Sequence, residues 1–108
     1  MTLARQTNVN DPQVAADARQ GALVVWTRGP FVEGGSSAIY AVLRSDRGRF
    51  GAVQRLGATG GGAGFDMAPS GEAIVVWDHP VCSDGSDNCS LVMVAIRPAG
   101  SARFARPG

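Results

Sequence analysis

The stretches "GALVVWTRGP" (residues 21–30) and "EAIVVWDHPV" (residues 72–81) carry nearly the same message twice in a chain of 108 residues. Working outward, "VAADARQGALVVW" (14–26) aligns without a gap with "FDMAPSGEAIVVW" (65–77), which sets Trp26 over Trp77. Downstream, "SAIYAVLR" (37–44) lies over "SLVMVAIR" (90–97), and "GRFG" (48–51) over "ARFA" (102–105). Between Trp and Arg the second copy is longer only in the segment that holds Cys82 and Cys89. Self-similarity at this period is the mark of a repeat architecture, and it outranks any local reading of the chain.

Each copy reads as four short strands. The first set is expected at about 13–17, 22–28, 37–44 and 49–56, and the second at about 65–68, 73–78, 90–97 and 102–106. β-Branched and aromatic residues fill these runs, and "DARQG", "APSGE", "SDRG" and "PAGS" supply turn chemistry between them. No window of helical length combines a 3.6-residue apolar period with freedom from Gly and Pro, so the chain reads as all-β. "ALVVW" and "AIVVW" are continuously apolar rather than alternating, as suits a strand covered on both faces. "RFGAVQRL" is mixed, as suits an outer strand. A meander graded from buried to solvated is what a propeller blade requires.

The segments "PQVAAD" (12–17), the two "VVW" runs and "GRFG" resemble the repeats of bacterial β-propellers found in tandem in large, often secreted, surface proteins. The resemblance spans nearly the whole chain but rests on repeat-consensus residues, and it departs at Phe65-Asp66-Met67 and in the Cys segment. It implies two four-stranded antiparallel blades, about 12–56 and 65–108, joined by a linker at 57–64. It also implies a secreted or cell-surface parent and a scaffold that binds proteins, glycans or small ligands. There is no Asp-box or WD signature.

Propellers have four to eight blades, and repeats that bury their faces against one another need at least three copies. Two blades alone would expose both terminal faces, including apolar surface around the Trp residues, and such patches mark interfaces. The missing neighbours are therefore expected either from other copies of the chain or from the rest of a longer parent protein, with the first favoured. "MTLA" places Leu3 ahead of the first blade as Leu56 stands ahead of the second, so residues 1–11 are expected to extend or seal a neighbouring blade. Head-to-tail contacts close into rings when the rotation permits. A homotrimer with six blades is favoured, with an eight-bladed tetramer as the alternative. Trp26, Trp77, Leu3 and Leu56 are the expected core or blade-interface residues.

Ten Arg, no Lys and nine acidic residues give a net charge of +1, which leaves no field to steer nucleic acid or an anionic membrane. The all-Arg usage with abundant Ala and Gly points to a GC-rich, bacterial source. The apolar runs are far shorter than the roughly 20 residues of a bilayer-spanning helix. Residues 1–12, "MTLARQTNVNDP", show no apolar h-region or small-residue cleavage site, so they are not expected to act as a signal peptide. Cys82 and Cys89 enclose "SDGSDN", for which a local disulfide is the preferred reading; free thiols are the alternative, and a zinc site lacks ligands.

Long loops gather on one face of such a meander, and binding tends to sit there. Phe31, Glu33, His79, Asp84 and Asp87 are the candidate ligand contacts, set against plain solvated loops. "GATGGGAG" (57–64) lacks the Lys-Ser/Thr of a phosphate loop and a following helix, so it reads as a linker. "DGSDN" offers oxygen ligands without the bidentate Glu of an EF-hand, and "NCS" at Asn88 formally matches a glycosylation sequon. No cofactor is implied. His79 is the single His, and there is no nucleophile elbow, so an enzyme is disfavoured. Asp66, Glu72 and Asp78 are better explained by turns and strand ends than by paired-acid catalysis. A glycan-binding lectin would need exposed aromatics in each repeat, and a hydrolase-type propeller fragment or a monomeric eight-stranded sandwich would complete the alternatives.

Overall fold

The computed structural model describes residues 2–6, 9–29, 37–61, 63–80 and 90–105. The described chain contains strands and no helix. In order they are β1 (Val9–Ala16), β2 (Ala22–Arg28), β3 (Ser37–Arg44), β4 (Gln54–Thr59), β5 (Ala63–Met67), β6 (Ala73–Pro80) and β7 (Ser90–Arg97). They form two antiparallel meanders, a four-stranded sheet ordered β1-β2-β3-β4 and a three-stranded sheet ordered β5-β6-β7. Neither sheet closes on itself.

Period-2 alternation gives each sheet two faces. In the first sheet, Leu23 pairs with Leu43, Val25 with Ala41 and Thr27 with Ile39, and these define an aliphatic face. Val24, paired with Val42, and Trp26, paired with Tyr40, define the opposite, Trp face. The repeat carries both faces into the second sheet. Ile74, Val76, Val92, Val94 and Ile96 stand where Leu23, Val25, Ile39, Ala41 and Leu43 stand in the first, whereas Ala73, Val75 and Trp77 lie on the Trp face with Met93 and Ala95.

The core forms where these unlike faces meet. Leu23, Val25, Ile39, Ala41 and Leu43 of the first sheet cluster with Met67, Ala73, Val75, Trp77 and Ala95 of the second, and Leu56 and Phe104 close the edges. Leu23, Ile39, Val75 and Ala95 are fully buried. Burial of each such aliphatic side chain is worth roughly 1.5–3 kcal/mol. The stacking therefore runs in one sense, aliphatic face onto Trp face, as it would in a chain of successive blades.

The turns repeat as faithfully as the strands. Asp17 N–H donates to Gly21 O at 3.0 Å, and the equivalent Ala68 N–H to Glu72 O at 2.8 Å. Arg44 Nη1 donates to Gln20 O at 2.6 Å, and Arg97 Nη1 likewise to Gly71 O. Once per repeat, then, an arginine at the end of the third strand holds the carbonyl of the first hairpin turn. That is the structural role of the repeated Arg.

The left-handed residue of that turn is Gly71 (φ 96°) in the second copy but Gln20 (φ 70°) in the first. A left-handed backbone costs a residue with Cβ roughly 1–2 kcal/mol, partly offset by the extra chain entropy that Gly gives up on folding. Gln20 is exposed. Gln20→Gly is accordingly expected to raise stability by about 0.5–1 kcal/mol in urea denaturation. The neighbouring Gly21 could not be replaced as easily, because a Cβ there would run into the Asp17 carboxylate, which accepts the Arg19 and Gly21 N–H groups.

Three sequence expectations need adjustment. The fourth strand of the first copy lies at Gln54–Thr59 rather than 49–56, with a single bridge, Arg44 to Phe50, ahead of it. The expected linker 57–64 is largely strand: Gly57 and Ala58 pair with Ile39 and Ala38, and Ala63 and Gly64 pair with Trp77 and Val76. The second blade's expected strand at 102–106 forms no strand over its described residues. Phe104 instead finds its partners in one side chain, Gln54, whose Oε1 accepts the Phe104 N–H at 3.0 Å and whose Nε2 donates to Phe104 O at 3.2 Å. Ala105 N–H still donates to Ile96 O at 2.8 Å, matching Gly51 N–H to Leu43 O. The second sheet thus has three strands among the described residues, not four.

Candidate functional site

The aliphatic faces of the two sheets share a sequence position by position, but only one is covered. In the first sheet Leu23 is 0% exposed, Val25 4% and Ile39 0%. Their counterparts Ile74, Val76 and Val92 are 40%, 37% and 79% exposed, and Ile96 is 44% exposed where Leu43 is 7%. Leu91 is also exposed, but it alternates with Val92 and lies on the opposite face of β7. A contiguous apolar face of this kind is unusual on a monomer surface and marks an interaction site. The physical cause is simple: the second sheet lies on the first sheet's aliphatic face, and among the described residues nothing lies on its own.

The other end of the stack is dressed differently. Trp26 is only 4% exposed. Its ring stacks on Tyr40 at 6.0 Å between centroids and 11° between planes, and its Nε1 donates to Gln6 Oε1 at 3.0 Å. The segment Thr2–Gln6 lies across the Trp face and leaves a groove lined by Leu3, Ala4, Val9, Pro12, Val24 and Trp26. The surface left open by two repeats is therefore the aliphatic face of the second sheet together with part of the Trp face of the first, where Val9 at the groove and Val14 stay exposed although the Trp rings themselves are buried.

Trp77 sits in the corresponding position inside the stack. It is 4% exposed, and β4 crosses it so closely that a Cβ on Gly57 would stand 3.0 Å from Cζ2 of the indole. Its Nε1 is buried without a partner. Leu56 is buried at this crossing, and Leu3 is half-buried at the equivalent one over Trp26. Both Trp residues are thus packed against a crossing segment, which leaves neither ring free to stack on a sugar.

His79 is half-buried near the end of β6, with its Nδ1 3.1 Å from Ala58 O. In the tautomer protonated at Nδ1 it donates to that carbonyl and ties β6 to β4. Beside it, Asp78 Oδ1 accepts from Thr59 Oγ1 at 3.4 Å, and Asp78 O accepts the Gly60 N–H at 3.1 Å. These contacts stitch the two sheets together where the chain passes from one to the other. Phe31, Glu33, Asp84 and Asp87, with Cys82 and Cys89, lie outside the described residues. Among the described residues no group of three or more His, Cys, Asp and Glu side chains gathers to hold a metal ion, and no helix is long and apolar enough to cross a membrane.

Searches of family models, curated proteins and solved structures find no match to this chain.

The sequence reading expected both terminal faces to be open but did not name Ile74, Val76, Val92 or Ile96, although their signal was present. "AIVVW" is apolar at every position, and a strand that shows one apolar face to its own partner sheet has a second one to spare. What the pattern did not contain is which face the partner takes.

Proposed function

We propose that the chain is a self-associating β-propeller-type module, a non-enzymatic scaffold whose two blade-like sheets are completed into a ring by further copies. One observation supports this reading above the rest. The same aliphatic positions are buried in the first repeat and open in the second, so a second copy offering its Trp face would repeat a packing the chain already makes internally. An independent two-sheet sandwich would instead alternate its outward positions with polar residues, whereas here Ile74, Val76, Val92 and Ile96 face outward. The contact is heterologous, one face onto a different face, and such contacts close into rings or run on as filaments. With two blades per chain, three chains give a six-bladed ring and four give eight. Ligand binding, to a glycan or a protein, belongs to the loops at one end of such a ring, the end that His79 adjoins.

The test is the mass in solution by light scattering coupled to size exclusion. A single sharp species of three chains is expected, and one of four chains also supports a closed ring. A stably folded monomer at micromolar concentration overturns the proposal.

A further inference from the structure

We propose that charge directs the association: the acidic rim of one copy's second sheet meets the arginines on the Trp face of the next copy's first sheet, and Glu72 of one chain settles beside Arg44 of the other. This rests on the self-association reading and names what selects the partner face.

The open aliphatic face is not merely apolar. Asp66 stands opposite Ile74 and Asp78 opposite Val92, which puts both acids on that face, and Glu72 joins Asp66, Ile74 and Ile96 around a hollow in it. All three acids are exposed, and Asp78 also accepts from Thr59 Oγ1. At the equivalent positions the covered face of the first sheet has Ala15, Gly21 and Thr27, none of them charged. The Trp face of the first sheet carries the opposite sign. Arg44 pairs with Ala22 on it and Arg55 with Tyr40, and Arg5 is exposed on the segment that lies across Trp26. Asp11, the one acid in β1–β4, turns to the other side beside Gln13. Among the described strand residues of the open aliphatic face there is no Arg and no His. An acidic face and a basic face on one chain complement each other, which favours a second copy over an unrelated partner. Like faces repel, so the charges hold the contact to one order, second sheet onto first sheet, and speed the encounter.

The internal junction shows where the charges meet. There, hairpin turn stacks on hairpin turn: Ala18 N–H donates to Pro69 O at 3.3 Å, and a Cβ on Gly71 would stand 3.1 Å from Arg97 Nη1 and 3.4 Å from Asp17 Oδ2. An acid of the first sheet and the turn-holding arginine of the second thus flank one point. Between copies, the repeat sets turn 17–21 of one chain on turn 68–72 of the other. Ala68 then stands for Asp17 and brings no carboxylate, but Glu72 stands for Gly21, whose Cβ would point into the Asp17 carboxylate. The Glu72 side chain therefore leaves the backbone toward the same spot. The arginine across from it is Arg44, held on Gln20 O as Arg97 is held on Gly71 O. Pro69 has no N–H to donate in Ala18's stead, so the junction between copies lacks that hydrogen bond and the ion pair serves this end instead.

A charge-swap cycle on the full chain decides the matter. The readout is the concentration at which half the assembly has dissociated, followed by sedimentation of labelled chain from nanomolar concentrations upward. It is taken in about 0.05 M and about 0.5 M salt, between which the screening length falls about threefold. Glu72→Arg is expected to raise that concentration about tenfold or more in low salt and less in high salt. Arg44→Glu should do the same, and both changes in one chain should recover most of the loss. Since Arg44→Glu also gives up the bond to Gln20 O, a second cycle pairs Glu72→Arg with Gln20→Glu, an exposed position that leaves Arg44 in place. Loss on Glu72→Arg that neither partner change rescues overturns the proposal, as does a multi-chain mass indifferent to salt and to Glu72→Arg; self-association stands in both cases. An unmodified chain that is monomeric at micromolar concentration in both salts overturns it together with the reading it rests on.

Discussion

Val92→Asp is expected to convert the proposed assembly into a folded monomer. Val92 is 79% exposed in the isolated chain, so a carboxylate there is solvated and the two sheets have no reason to come apart. The cost to the monomer is limited to strand propensity, within about 1 kcal/mol. In the proposed assembly the same side chain would take the place that Ile39 holds in the first sheet, where Ile39 is 0% exposed. Burying an unpartnered carboxylate costs several kcal/mol. Since about 1.4 kcal/mol is tenfold in a dissociation constant, each contact should weaken by a factor of about a hundred or more. The measurement is the solution mass of the variant beside its far-ultraviolet circular dichroism. A β-sheet spectrum with the mass of one chain is the expected pair of results; an unchanged multi-chain mass would place the interface elsewhere.

The second large effect contrasts two positions that the repeat makes equivalent. Leu23→Ala, made in the monomeric Val92→Asp background, is expected to lower the free energy of unfolding by about 2–5 kcal/mol, because it opens a cavity at a fully buried site. Ile74→Ala in the same background removes a side chain that is already 40% exposed and, among the described residues, has no sheet on its outer side, and should cost about 1 kcal/mol or less. Urea denaturation measures both. In the assembled protein the two losses should converge, since the neighbour then covers Ile74 as the second sheet covers Leu23. Equal losses already in the monomer would mean that the face is covered within the chain.

Much of the fold was legible from residue pattern. β2, β3 and β7 fall at the expected bounds, because their β-branched runs are flanked by turn residues on both sides. β1 begins earlier than expected: Asp11 and Pro12 read as breakers, but an edge strand tolerates Pro, and the irregularity between Asn10 and Gln13 absorbs Asp11 at φ 55°. β4 was misplaced because "GATGGGAG" has the composition of a linker. Its first residues are held in strand by pairing with β3, and Gly57 is there because the indole of Trp77 leaves room for little else. The residues 102–105 form no strand, as their counterparts 48–51 form only the single bridge at Phe50: Ala105 N–H bonds Ile96 O as Gly51 N–H bonds Leu43 O, and Phe104 is held by the Gln54 side chain.

For the candidate site the division is sharper. His79 is visible in the sequence as the single histidine, but its engagement with Ala58 O depends on how β4 crosses β6. The open face was spelled out in Ile74, Val76, Val92 and Ile96, each of which looks like any core residue.

By itself the sequence determined that this protein is all-β and written twice, since repetition and strand period are properties of residue order alone. It also determined which side chains share a face, because alternation follows from the backbone's twofold period. Only the tertiary structure decided which of two equally apolar faces is buried. That choice depends on one sheet being stacked on the other in a single sense, which leaves the aliphatic face of the second sheet uncovered among the described residues.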